Sequence, residues 1–572
     1  MSQDQNIPPA PGTSGEPASA PLRGGVTRGA TRGSGVLRWL DQNFFELGRE
    51  MRLSYLPPLM VYMAAGISGL TAIVGTFFVK DYLGMSAAFL AGLGFWAGIP
   101  WALKMPIGHV VDLMWRWKSA LVFLGAGLIA LSCVIMVLLI GDREAMVAIM
   151  PTEAWYVLAV LLAPIGYVVQ DTVADAMTVE AVPRVDEQGR PVPPEQQKLM
   201  HTTMQTLGRV AIIGGTVFVA LINVYLFSGV QDMPEAEKVR IYRQVYLMAL
   251  SIPAISVLGV VIAEILKWRR RKELIAHGIA PAEARRLLNV QEEPPSPNWW
   301  ILGGSLAFVI FTVTIGLGQL KYSQEVIFVG SFAIVSFLVA RLTRELDPVA
   351  RETLIGTAIV IFIFRAMPNA GPGASWWSID VLGFDQQFFS VLDLTASTLT
   401  LLGMFIFRRF MAEHSIVYIV GALTVASAIL SVPYVGMYYG LHEWTARLTG
   451  GVVDARFIAL VNTALESPLG QIAMIPMLAW IARSAPNNLK ATFFAVMASF
   501  TNLALSLSQL GTKYLNEIFV VKREVKDPLT GVVKVAADYS ELGELLITQT
   551  ALALILPFTA IAIVRLIRLR TV

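Results

Sequence analysis

The chain has 572 residues, of which 55% are hydrophobic and 15% charged, with a mean hydropathy of +0.61 and a net charge of +3. No water-soluble globular chain carries so much apolar material, so the composition reads as an integral membrane protein. The basic residues sit in loops beside apolar segments and leave no nucleic-acid footprint, and a single cysteine, Cys133, excludes an intrachain disulfide and a cysteine metal cluster.

Residues 1–50 are rich in Gly, Pro, Ser and Arg and hold no apolar h-region, which predicts a disordered cytoplasmic tail rather than a cleavable signal. Runs long enough to cross a bilayer follow at Leu56 to Val79, Ala87 to Ile107, Ser119 to Ile140, Trp155 to Met177, Thr203 to Phe227 and Val245 to Leu266. These make a six-helix bundle over 51–268. A basic linker over 269–350 carries two extra runs, Trp299 to Leu317 and Glu325 to Ala340. A second bundle over 351–572 holds Thr353 to Met367, Phe388 to Phe407, Ile416 to Tyr439, Phe457 to Ile481, Ala491 to Leu515 and Leu545 to Ile567. The expected fold is all-α and membrane-spanning: two six-helix bundles with an inserted helical pair, about fourteen transmembrane helices in all.

Loop charge orients this layout. Arg49 and Arg52, Arg116 and Lys118, Lys267 with Arg269 to Lys272, Arg341 and Arg344, Arg408 and Arg409, and Arg565 to Arg570 all fall on one side. That predicts both termini in the cytoplasm, as in a bacterial inner-membrane protein. The loops holding Lys238 to Arg243 and Lys522 to Glu544 run against the trend.

The fourth run ends in Gln170-Asp-Thr-Val-Ala-Asp-Ala-Met-Thr-Val-Glu180. Burying a charge in lipid is costly unless it is used or paired. Asp171 and Asp175, four residues apart, share one helix face about 40° apart, while Glu180 lies half a turn away from Asp171. Two acids facing a bundle interior can share a proton or meet a cation, and they can equally lock neighbouring helices together. An internal repeat supports two related halves. Asp81-Tyr-Leu-Gly84 matches Asp380-Val-Leu-Gly383, and the carboxylate motif has its counterpart in Glu466-Ser-Pro-Leu-Gly-Gln471. Repeated halves rocking about a midplane site are what an alternating-access carrier requires.

Between the second and third runs lies Gly108-His-Val-Val-Asp112-Leu-Met-Trp-Arg116-Trp-Lys118. It resembles the cytoplasmic loop motif of the major facilitator superfamily, where the glycine permits close helix approach, the aspartate holds a helix end and the basic residues bridge to neighbouring helices. The resemblance implies a cytoplasmic gate of Gly108, Asp112, Arg116, Lys118 and Glu180, with Arg116 the expected partner of Asp175 and Glu180. Ordinary positive-inside charge is the plainer account of the basic residues.

Asp171-Thr-Val-Ala-Asp-Ala-Met-Thr-Val-Glu180 in turn resembles the DxxADxxxxE signature of the folate-biopterin transporter family. Three further stretches agree with it: Ala366-Met-Pro-Asn-Ala370 with Leu382-Gly-Phe384, Pro468-Leu-Gly-Gln-Ile-Ala-Met-Ile-Pro476, and Phe494-Ala-Val-Met-Ala-Ser-Phe-Thr-Asn502. The similarity spans nearly everything from Leu56 onward. It implies a secondary-active carrier, proton-coupled or facilitated, for folates, pterins or, in some members, S-adenosylmethionine. The loop from Glu180 to His201 and the two extra helices depart from the pattern. Muropeptide permeases share the Gln-Asp-x-Val-x-Asp pattern of Gln170 to Asp175, and a non-transporting assembly factor of a membrane complex is the other alternative.

Further polar residues fall inside the apolar runs. Arg209, beside Gly208 and ahead of Gly214-Gly215, is placed to reach Asp171 or an anionic ligand, and the planar fork of Arg365 suits a carboxylate. With Asp171, Asp175 and Glu466 they form the expected substrate or proton pathway, although snorkelling or pairing with a protein acid also accounts for an intramembrane arginine. Lys104, near a helix end, reads as structural. Asn462, Gln471, Asn502 and Asp393 read as polar residues of a water-filled cavity, and Trp299-Trp300 and Trp376-Trp377 as interfacial anchors. No phosphate loop, H-E-x-x-H or G-x-S-x-G motif is present, so no enzyme is expected and no cofactor or metal is called for. The partners implied are a small-molecule solute, a proton and the lipid bilayer.

Overall fold

A computed structural model describes residues 46–102, 104–185, 190–288, 299–317, 321–470, 472, 490–526 and 533–571. The chain divides into two compact units, Met1–Glu50 and Met51–Val572. The first, expected to be a disordered tail, lies almost wholly outside the described residues.

In lipid every backbone polar group must be satisfied within the protein, so apolar runs of this length fold as helices. The first half of the second unit runs α1 (Leu56–Ile67), α2 (Ala72–Tyr82), α3 (Ala87–Ala102), α4 (Lys104–Leu113), α5 (Lys118–Gly141), α6 (Thr152–Ala181), α7 (Pro194–Leu226), α8 (Glu235–Ala249) and α9 (Ser251–Ala276). The inserted pair is α10 (Trp299–Leu317) and α11 (Ser323–Leu342). The second half follows as α12 (Pro348–Arg365), α13 (Pro372–Asp380), α14 (Gln386–Ile406), α15 (Ile416–Tyr438), α16 (Ala455–Glu466), α17 (Lys490–Ile518) and α18 (Leu542–Leu566). Between α17 and α18 a short antiparallel ribbon pairs β1 (Val525–Lys526) with β2 (Val533–Val535).

The halves meet along two seams, α3 against α17 and α7 against α14. The inserted pair packs beside the first seam on α3, α4 and α17. There Gln324 Nε2 donates to the Gly92 carbonyl at 3.2 Å, and Glu325 Oε1 accepts from Tyr514 at 2.5 Å and Lys513 at 3.2 Å. Within the first half, α1 and α7 approach so closely that a Cβ on Gly215 would stand 2.8 Å from the Met63 carbonyl. Small residues allow this backbone contact, the main source of helix association where lipid supplies no hydrophobic drive.

The opening helix of the first half tightens without interruption, and that of the second half is broken. A 3-10 turn, Ser68–Thr71, links α1 to α2, and the stretch 366–371 separates α12 from α13. Breaking a helix at this depth orphans carbonyl and amide groups, and α17 satisfies them. Ser508 Oγ donates to the Met367 carbonyl at 2.5 Å, Asn369 N donates to Thr512 Oγ1 at 3.0 Å, and Asn516 Nδ2 donates to the Ala370 carbonyl at 3.2 Å. The four-residue spacing of Ser508, Thr512 and Asn516 puts all three on one helix face.

Among the described residues, nine helices are long and apolar enough to cross a membrane, against about fourteen expected from the apolar runs. In the second expected span residue 103, between α3 and α4, lies outside the described set, the ninth stops at Arg365, and the twelfth runs into residues outside the described set. The apolar windows of α11 and α14 are each only 17% buried, which is surface suited to lipid rather than water. Trp299 and Trp300 are exposed as an interfacial belt requires, but Trp376 and Trp377 are not: both are buried, because α13 turns inward beneath the ribbon. Trp377 packs edge-on against Tyr434 at 6.1 Å.

Candidate functional site

α6 spans 30 residues, and Asp171 lies ten residues from its end, about 15 Å inside the protein. The two acids of this helix do face a common direction, and what they face is one amine. Lys104 Nζ lies 2.6 Å from Asp171 Oδ2 and 2.7 Å from Asp175 Oδ2. Tyr62 on α1 completes the cluster, its hydroxyl donating to Asp175 Oδ1 at 2.6 Å. Lys104, read from sequence as structural, is therefore the central cation. It lies at the start of α4, which packs on α6.

Gly208 on α7 makes room for the Tyr62 ring. A Cβ there would stand 2.9 Å from Tyr62 Cε2. Gly208→Ala should cost about 1–3 kcal/mol by forcing the ring off Asp175. Thermal unfolding of the purified protein measures this, and an unchanged midpoint would mean that the ring has room to yield. Gly108 carries no such constraint: a Cβ would meet Thr172 Cγ2 at an ordinary 3.8 Å, so the close approach implied by the loop motif is absent at this glycine.

Arg209, next to Gly208, lies within electrostatic reach of Asp171 and Tyr62 and, from the other half, of Arg365. Arg365 closes α12 at the helix break and donates from Nε to the Thr501 carbonyl of α17 at 3.3 Å. The two arginines singled out in sequence thus come from opposite halves and repel one another, with Arg209 the one in reach of the acid cluster. Glu466 ends α16 and Asp393 lies in α14; both are exposed, with no hydrogen bond or ion pair to other described residues. The cluster does not extend to them. Gln471 lies outside the described residues, and Asn502 bonds the Trp101 carbonyl at 3.2 Å across the α3–α17 seam.

At the far end of α6, Glu180 pairs with Lys118 Nζ at 2.8 Å and more loosely with Lys267 at 3.9 Å. This clasp ties α6 to α5 and α9, all within the first half. Among the described side chains Asp175 meets Lys104 and Glu180 meets Lys118, five residues apart or about 7 Å along the helix. The side chains of Asp112 and Arg116 lie outside the described residues.

The opposite end carries an ion pair between the halves that sequence reading passed over. Lys80 Nζ lies 2.7 Å from Asp380 Oδ1 and 3.6 Å from Asp81 Oδ1. Both acids open the repeated Asp-x-Leu-Gly motif, and the adjacent lysine was the available signal. Phe77 meets Phe389 edge-on at 6.0 Å, and Gln386 Nε2 donates to the Tyr242 hydroxyl at 2.8 Å, so this end is closed. Among the described residues no ion pair joins the halves at the Lys118 end.

Comparison with known proteins fits this architecture. The BT1 family matches residues 65–569. A protein of Synechocystis sp. named folate-biopterin transporter is 22% identical over 471 residues, covering 81% of this chain and 74% of its own. In structure, a POT family transporter crystallised with a thioalcohol-conjugated peptide superposes with a TM-score of 0.55 at 12% identity, over 90% of this chain and 96% of that one. The nucleoside transporter NupG gives 0.51 at 11% identity, over 89% and 99%. At such identities the structures speak for the fold alone, which is all-α and major facilitator-like. With its family matched over most of its length and its helices faced for lipid, the chain belongs to the BT1 family and is an integral membrane transporter, not an enzyme.

Proposed function

We propose that the protein is a secondary-active carrier of a flat, carboxylate-bearing solute of the folate or pterin class, coupled to protons through Asp171 and Asp175. The observation that carries this reading is the placement of Arg209 in reach of the Lys104–Asp171–Asp175 cluster and of Arg365, from the other half, in reach of Arg209. Three cations against two carboxylates leave one positive charge in excess. Protonation of either acid raises the excess to two, which matches a dicarboxylate. Proton and anionic substrate then favour each other's binding, the reciprocity that symport requires. An anion lodged between the guanidiniums also offsets their repulsion and draws the halves together, so substrate binding drives closure around it. In this proposal the Lys118–Glu180 clasp belongs to the cytoplasmic gate, and the basic loops place both termini in the cytoplasm of a bacterial inner membrane.

The test is uptake into proteoliposomes of labelled folate, a reduced pterin, S-adenosylmethionine and an anhydromuropeptide, each with and without an inward proton gradient. Saturable folate uptake that the gradient accelerates is the expected result. Uptake of the muropeptide alone would transfer the protein to that substrate class, and silence for all four with co-purification of a large complex would make it an assembly factor.

A further inference from the structure

The closed Lys80 end holds a charge in an unusual position. Arg523, just before β1, is 3% exposed and lies with its guanidinium 4.7 Å from the centre of the Trp376 ring. None of its three side-chain nitrogens has a hydrogen-bond partner among the described residues. A buried cation left unpaired is costly and persists where another state of the molecule uses it. Asp81 and Asp380 are within electrostatic reach of it, together with Tyr539. Asp380 is already engaged by Lys80 at 2.7 Å and by the Tyr539 hydroxyl at 2.5 Å.

The distribution of these groups between the halves gives the arrangement its meaning. Lys80 and Asp81 belong to the first half, at the end of α2, while Asp380, Arg523 and Tyr539 belong to the second. When the halves part at this end, Lys80 must leave Asp380. It retains Asp81, its neighbour in sequence, and Asp380 is left beside Arg523. We propose that Arg523 is the waiting partner of Asp380 in an ion-pair exchange. With this end closed Lys80 bridges the halves, and with it open each half carries an internal pair, Lys80–Asp81 in the first and Arg523–Asp380 in the second. The unpaired guanidinium raises the energy of the closed state, and its pairing lowers that of the open state. Both effects offset the apolar seal of Phe77 and Phe389. Two states of similar energy are what an alternating-access cycle needs, since a carrier held in one conformation does not turn over.

The readout is the distance between spin labels at Val147→Cys and Leu448→Cys, two exposed positions in short helices on opposite halves at this end, with the buried Cys133 changed to alanine. The labelled parent should show a short and a long population. Lys80→Gln should shift it toward the long distance. Arg523→Gln should shift it the other way, toward the short distance, and slow transport about tenfold for each lost pair worth about 1.4 kcal/mol. Arg523→Lys, which keeps the charge, should restore most of both. In an Asp380→Asn background, where the shared acceptor is gone, Lys80→Gln and Arg523→Gln should each add little. An Arg523→Gln protein that opens like Lys80→Gln, keeps the parental distribution, or acts undiminished in the Asp380→Asn background would overturn the exchange. The distance readout is independent of the solute, so failure of the folate assignment would leave it intact.

Discussion

Lys104→Gln should be the most damaging single substitution in the protein. One amine serves both acids of α6, and the side chains of Lys104 and Asp171 are only 16% and 15% exposed. Removing one partner of a buried pair costs about 3–5 kcal/mol, because the remaining charge is stranded. Asp175, at 41% exposed, is better hydrated and adds less. The purified variant should unfold at a markedly lower temperature or fail to accumulate. Adding Asp171→Asn removes the stranded charge and should recover most of the stability without recovering transport. Asp171→Asn alone should leave a folded, inserted protein that transports little. If the double variant is stable and transports with the parental pH dependence, the cluster only fastens helices and the proton pathway lies elsewhere.

Arg209→Gln and Arg365→Gln should each raise the KM for a carboxylate-bearing substrate by roughly 10- to 100-fold, the value of one charge-assisted hydrogen bond. A pterin without carboxylates should be nearly indifferent to either change, and that contrast separates a substrate contact from a general loss of fold. Lysine should rescue poorly at both positions, since a point charge lacks the planar fork that grips a carboxylate with two parallel bonds. Equal losses for folate and for the carboxylate-free pterin would place the arginines in the scaffold instead.

Much of this arrangement was legible along the chain, and the parts that were not have a common cause. Hydropathy located the helices because lipid imposes its demand on every segment separately. It overcounted the uninterrupted spans where the proline-bearing stretch 366–371 interrupts a run whose backbone α17 then satisfies. Helical spacing put Asp171 and Asp175 on one face, which the structure reproduces, because that relation lies within a single helix. The identity of their cation did not follow. Lys104 and Arg116 both stood at the right end of the bundle by sequence, and only the packing of α4 on α6 gives Lys104 to the acids. The same limit misassigned Trp376 and Trp377, whose neighbours along the chain suggest an interface and whose neighbours in space form a core.

The sequence by itself determined that this is a membrane protein of two related halves with an inserted helical pair, since apolar length, charge bias and repeated motifs are properties of local segments. It also nominated the acids of α6 and both arginines, because an ionisable residue inside an apolar run declares its cost wherever it ends up. Only the tertiary structure decided which charges meet: Lys104 with both acids, Arg209 opposite Arg365, Lys80 with Asp380, and Arg523 left waiting beneath the ribbon. Those pairings depend on the depth and crossing of helices far apart in the chain, and a single charged residue carries no address for the partner it will find.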